Sequence, residues 1–245
     1  MGADRVGHRP GGGEVPRELA GYIAHTLLRP DASAEDVRKL CEEAERFQFA
    51  SVCLNPTFVK LAAQAVRGGT VKVCCVVGFP FGTHHPEIKA QEARRAIRDG
   101  ADEIDMVINI GALKSGDDDL VYRDIRAVTD ACMDGSAVCK VIIETAMLTD
   151  EEKTRACTIA RRARADFVKT STGYGGGGAT AHDVGLMADA VRGARMGVKA
   201  SGGIRSYEDA QKMIRAGATR LGASAGVRIV KESRGLTVSG GGDKY

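Results

Sequence analysis

Along most of the chain, short β-branched and aliphatic runs alternate with longer stretches whose apolar positions return every three or four residues. The first pattern marks a buried strand, the second an amphipathic helix. Strands are predicted over 22–28, 50–54, 71–77, 103–109, 138–144, 166–170, 197–200 and 219–222. Between them, Ser33 caps a helix carrying Val37, Leu40, Cys41 and Ala44 on one face. Pro56 opens the next helix and Gly68 closes it. A third begins near Pro86 and stops at Gly100, and a fourth carries Ile125, Val128 and Cys132. Thr149-Asp150-Glu151-Glu152 is a capping-box signature. Thr180 and Ser206 cap two further helices, Gly217 stops the second, and a short helix follows the last strand.

Such alternation makes a parallel sheet with right-handed crossovers. Eight units in ~215 residues fit a closed (β/α)8 TIM barrel. The alternative, a doubly wound open sheet, wants a G-x-G-x-x-G turn after an early strand, and none is present. The barrel is expected over 17–234 as a single domain, between flexible segments at 1–16 and 235–245.

Composition narrows the partners. The chain is 43% hydrophobic, enough for a sizeable core. Only 4% of residues are aromatic and Trp is absent, which argues against a stacking platform for single-stranded nucleic acid. The net charge of +3 is spread among mixed signs, so no nucleic-acid or membrane partner is expected. No apolar run nears the ~18 residues of a membrane span. The Gly-rich, polar start lacks the apolar segment of a signal peptide. A soluble, cytoplasmic protein is expected. Its seven cysteines show no C-x-x-C pair or Cys/His ladder, which suits free thiols in a reducing compartment. His84-His85 has no evident third ligand, so neither a metal nor another cofactor is expected.

Charge sits where a core should be. In a barrel strand every second residue points inward. Asp105, Val107 and Asn109 share a face, as do Lys140, Ile142 and Glu144. Phe167 pairs with Lys169 in this sense, and Gly197 and Lys199 with Ser201. If these are inner faces, three lysines and several polar partners meet inside the barrel, near the strand ends that carry catalytic residues in such folds. Two ammonium groups held close disfavour each other's charge, so one lysine's pKa falls from ~10.4 toward neutrality. A neutral amine attacks a carbonyl to form a Schiff base, and a carboxylate such as Asp105 moves protons. Spacing alone does not say which lysine is the nucleophile.

Three late strands end in small-residue loops: Thr170 to Gly178, Ser201 to Arg205, and Gly222 to Ser224. Glycines let backbone N–H groups approach an anion, and barrels commonly bind phosphate after strands seven and eight. The four-glycine run also fits a mobile lid hinge.

These segments together resemble the deoxyribose-phosphate aldolase family. Phe167-Val168-Lys169-Thr170-Ser171-Thr172-Gly173 is similar to the family's Schiff-base segment. Gly197-Val198-Lys199-Ala200-Ser201-Gly202-Gly203-Ile204-Arg205 is similar to its second-lysine segment. Gly100 to Val107 resembles the proton-relay strand, and Lys140 to Thr145 and Val76 to Pro80 also match. The likeness runs in order from about Ile23 to Val230. It implies a class I aldolase cleaving 2-deoxy-D-ribose 5-phosphate to acetaldehyde and D-glyceraldehyde 3-phosphate, without a metal. It assigns the Schiff base to Lys169, pKa depression to Lys199, and proton transfer to Asp105. Thr172, Gly173, Gly202, Gly203, Gly222 and Ser224 would bind the substrate and its phosphate. Cys53 matches a cysteine lining the pocket in relatives.

The chain departs from the family where Ala24 replaces an acid before His25-Thr26-Leu27-Leu28, and where Ala225 replaces a common second Ser. Tyr174 stands where some members carry a basic residue, and Tyr245 ends the chain as a Tyr does in some members. Competing readings are another Schiff-base barrel acting on a different phosphosugar, and a non-catalytic phosphosugar-binding protein. Retention of both Lys169 and Lys199 disfavours the last. Small-molecule phosphosugars and aldehydes are the expected partners, together with a second copy of the chain in a homodimer or larger assembly.

Overall fold

The computed structural model describes residues 15, 16 and 18–236. Eight parallel strands close into a barrel in sequence order: β1 (Ile23–Leu27), β2 (Ser51–Leu54), β3 (Lys72–Val77), β4 (Glu103–Val107), β5 (Val138–Ile142), β6 (Phe167–Lys169), β7 (Gly197–Ser201) and β8 (Arg220–Ala223). Helices α1 (Ala34–Phe47), α2 (Val59–Ala65), α3 (Pro86–Arg98), α4 (Ile110–Lys114), α5 (Asp118–Asp134), α6 (Asp150–Arg162), α7 (Ala181–Ala190), α8 (Tyr207–Arg215) and α9 (Gly226–Ser233) link and follow the strands. The expected (β/α)8 barrel is therefore the fold. Tyr245 and most of both predicted flexible segments lie outside the described residues. Among the described residues no helix is long and apolar enough to cross a membrane.

The capping signals act as read. The Ser33, Thr149 and Ser206 side chains each accept from the third helical N–H, and the acid at that position closes the box. Strand ends moved for local reasons. β4 stops at Val107 because Asn109 turns away to cap the short helix α4, which the periodicity did not predict. β5 stops at Ile142 because Glu144 takes a left-handed φ of 57° and opens a 3-10 turn over Thr145–Met147.

α3 and α5 also fix the end of β4. Lys89 Nζ, fully buried, donates to Asp124 Oδ2 at 2.7 Å and to the Val107 carbonyl at 2.8 Å. The same Asp124 oxygen accepts the Asn109 N–H at 3.0 Å.

The apolar core lies between strands and helices, where Val52, Val73, Ile104, Val141, Val168 and Val198 meet the inner helix faces. Residues paired across a parallel ladder share a face. The register pairs Asp105 with Lys140, Lys169 with Lys199, and Lys199 with Arg220, so all five point into the barrel. The inner wall is crowded. A Cβ on Gly197 would lie 2.3 Å from the Phe167 ring and 2.5 Å from Thr219 Oγ1. Gly197→Ala should therefore lower stability by ~1–3 kcal/mol through overpacking, read as a fall in thermal midpoint; an unchanged midpoint would show that Phe167 has room to move.

Candidate active site

One carboxylate organises the centre. Asp105, inward on β4, is fully buried, and its Oδ2 accepts from Lys169 Nζ and Lys199 Nζ, each at 2.7 Å. Its Oδ1 accepts from Lys140 Nζ at 3.1 Å and from Cys74 Sγ at the same distance. Cys53 Sγ lies 4.0 Å from Oδ2. The structure thus brings together Lys169, Lys199, Asp105 and Cys53 as expected. Lys140, one of the three lysines expected to meet inside the barrel, joins them, and Cys74, for which no role at the centre was expected, is the addition. The missed signal for Cys74 was register: it is the ladder partner of Cys53.

The charges compete with burial. Desolvation pushes the Asp105 carboxyl up, but Lys140, Lys169 and Lys199 outweigh it and hold the group well below the carboxylate range. The expected repulsion between two ammonium groups omitted this anion between them. Burial works against the Lys199 ammonium, yet Asp105 and the nearby Cys53 and Cys74 prevail, and its pKa moves up. Lys140 goes the same way, burial being overcome by Asp105, Cys74 and Glu103. The Cys53 thiol is lowered to about 6, first by its hydrogen bond with Cys74 and, against burial, by the Lys199 and Lys169 charges.

The amines differ in access. The Lys140 and Lys199 side chains have no exposure, whereas that of Lys169, the last residue of β6, retains 3%.

The glycine loops crown the same end of the barrel. Gly173, Gly202 and Gly203 all take positive φ, near 91°, 90° and 79°. Gly222 is on the inner face of β8, where a Cβ would sit 2.9 Å from Ser201 Cβ and 3.2 Å from Lys199 Cε, so its visible role is to leave room for the Lys199 stem. Ser224 is half-buried just beyond β8. Thr172 is tied to Glu144: both its N–H and its hydroxyl donate to that carboxylate.

The ends of the four-glycine run are packed, whereas Gly176 between them is exposed with nothing within 4 Å of a Cβ built on it. A Cβ on Gly175 would meet Glu144 at 2.6 Å, and one on Gly178 would meet the Gly202 carbonyl oxygen at 2.4 Å. Tyr174 crosses the mouth, its hydroxyl donating to the Leu28 carbonyl at 2.9 Å and its ring edge-on to Phe79 at 5.6 Å. Ala24 faces inward between Ser51 and Gly222, and Ala225 precedes α9 without a side-chain cap bond.

A barrel whose strands gather amines around one buried acid, beneath glycine-lined loops, is built as an enzyme. The comparisons give its class, a lyase of the aldolase type. Residues 24–239 match the model of the DeoC/LacD family aldolases, and the chain belongs to that family. A deoxyribose-phosphate aldolase of Streptococcus gordonii is 60% identical over 91% of this chain and 99% of its own length. One from Listeria innocua is also 60% identical, over 86% of this chain and 94% of its own. A solved deoxyribose phosphate aldolase from Aeropyrum pernix, described as tetrameric, superposes with a TM-score of 0.85 at 36% identity, covering 91% of this chain and 94% of that one.

Below the centre, Glu103 is pushed up by burial but held at about 2, against an ordinary 4.5, by Lys140 and Arg220. A depressed carboxylate contributes stability that is full above its unfolded pKa and is lost as pH falls through the folded one. Glu103 and Asp105 act in the same direction, so the thermal midpoint should fall as pH drops from about 4.5 toward 2, measured by calorimetry. In Glu103→Gln that acid dependence should shrink; an identical slope would remove Glu103 from the account.

Proposed function

We propose that this aldolase cleaves 2-deoxy-D-ribose 5-phosphate to acetaldehyde and D-glyceraldehyde 3-phosphate through an imine on Lys169. The substrate assignment is supported by the names of its relatives. The nucleophile assignment rests on one observation: of the three lysines around Asp105, only the Lys169 side chain keeps any exposure, 3%.

The neutral Lys169 amine adds to the C1 aldehyde of the open-chain sugar, and loss of water leaves a protonated imine. Removal of the C3 hydroxyl proton then lets the C2–C3 bond break, its electrons flowing into the imine to give an enamine. D-Glyceraldehyde 3-phosphate leaves. Protonation of C2 and hydrolysis release acetaldehyde and restore the amine. Asp105 takes part in the proton transfers, and Lys199 and Lys140, both held as ammonium, keep that carboxylate charged and in place. Four cationic side chains, Lys140, Lys169, Lys199 and Arg220, share two carboxylates, Asp105 and Glu103. Gly173, Gly202, Gly203 and Ser224 line the loops offered to the phosphate, with Thr172 and Cys53 lining the pocket below. Self-assembly into a homo-oligomer belongs to the same reading, supported by the tetrameric relative.

Borohydride reduction with acetaldehyde, followed by peptide mass spectrometry, should find an ethyl group on Lys169. An adduct on Lys199 would reverse the lysine roles, and none on a folded protein would overturn the mechanism. Lys169→Leu should lose activity by ~10⁴-fold or more yet fold, because Asp105 keeps two amine partners.

A further inference from the structure

The ion pairs do not stop at Asp105. Lys140 Nζ, 3.1 Å from Asp105 Oδ1, lies 2.7 Å from Glu103 Oε2, one turn of the pleat lower on β4. Glu103 in turn accepts from Arg220 Nη1 of β8 through both oxygens, at 3.1 and 3.2 Å. Arg220 is pinned further by Ser51 Oγ at 3.4 Å and by the Phe167 ring, 5.8 Å from its Cζ. A line of alternating charge thus runs down the barrel to its N-terminal end. There Glu103 and Arg220 line a cavity of about 860 Å³, together with Ala50, Asp102 and Asp166 from the loops that precede strands.

The Lys140 ammonium is shared, and it sits closer to the remote acid than to Asp105. We propose that Arg220 and Glu103 are positioning residues for the aldol reaction: acting through Lys140, they set the charge around Asp105 and hence the pH at which the amine cluster becomes reactive. This rests on the reading of Lys169 as the nucleophile.

The remaining titratable groups on the inner wall are Cys53 on β2, Cys74 on β3, Asp105 on β4, Lys140 on β5, Lys169 on β6 and Lys199 on β7. His25 of β1 faces outward to Glu43. Within this set, deleting the Arg220 charge makes every amine hold its proton more tightly. It also leaves Glu103 with Lys140 as its one remaining cation among these groups. Deleting the Glu103 charge does the opposite.

The acidic limb of kcat/KM reports the free enzyme's essential groups. In Arg220→Met that limb should move to higher pH by on the order of half to one unit, and in Glu103→Gln to lower pH by a similar amount. The double variant, with its net charge restored, should return close to the parent profile, as should Arg220→Lys. A purely structural role would lower kcat and stability without moving the limb in opposite directions. Limbs that stay in place, move the same way, or shift in Arg220→Lys as in Arg220→Met would overturn the proposal. If Arg220→Met alone does not fold, the comparison of Glu103→Gln with the double variant reads the same arginine effect. Borohydride trapping on Lys169 accompanies each profile. Failure of trapping in the parent sinks the Lys169 reading, whereas trapping with unmoved limbs sinks only the role of Arg220 and Glu103.

Discussion

A carboxylate with no access to water must be met by cations or lose its charge, and Asp105 is met by three. Much of the barrel's inner order follows from that requirement. The amines come from β5, β6 and β7, so each strand must hold its register against the next. A slip by one residue would turn a lysine into the apolar layer under the helices and leave the acid short of a partner. The small residues of the inner wall belong to the same solution. Gly222 clears the path of the Lys199 stem, and Gly197 admits the Phe167 ring below it.

The network also joins stability to chemistry. Breaking a buried pair from one side costs about 3–5 kcal/mol, because the other charge is left uncompensated. The centre therefore cannot be altered one residue at a time without a penalty in folding. The lower pairs, Lys140 with Glu103 and Glu103 with Arg220, spread that constraint along the barrel axis to a face remote from the mouth. Outside the wall, Lys89 and Asp124 do a parallel job by holding the Val107 carbonyl and the Asn109 N–H, the two ends of the step where β4 becomes loop.

Much of this was legible in the chain because the signals were local. Alternating strand and helix patterns gave the barrel, and Ser33, Thr149, Thr180 and Ser206 cap helices where their spacing said they would. Period-two spacing put Asp105, Lys140, Lys169 and Lys199 on inner faces. What sequence could not supply was register across strands. Glu103 meets Arg220 across a separation of 117 residues, and nothing in the spacing of either foretells it. The expected repulsion between the amines left out Asp105's charge for the same reason, since the anion placed between them comes from another strand. Strand ends were misjudged where a side chain or a left-handed residue took over, at Asn109 and Glu144.

The contact between the loops after β6 and β7 reaches beyond the chemistry. Gly178 lies against the Gly202 carbonyl, and the Ala179 N–H donates to that same oxygen at 3.0 Å. Neither loop can be rebuilt without the other, so the two behave as one heritable unit. A combinatorial library aimed at new acceptors would explore little by randomising Gly173 to Gly178 alone; productive diversity requires paired variation at Gly202 and its neighbours.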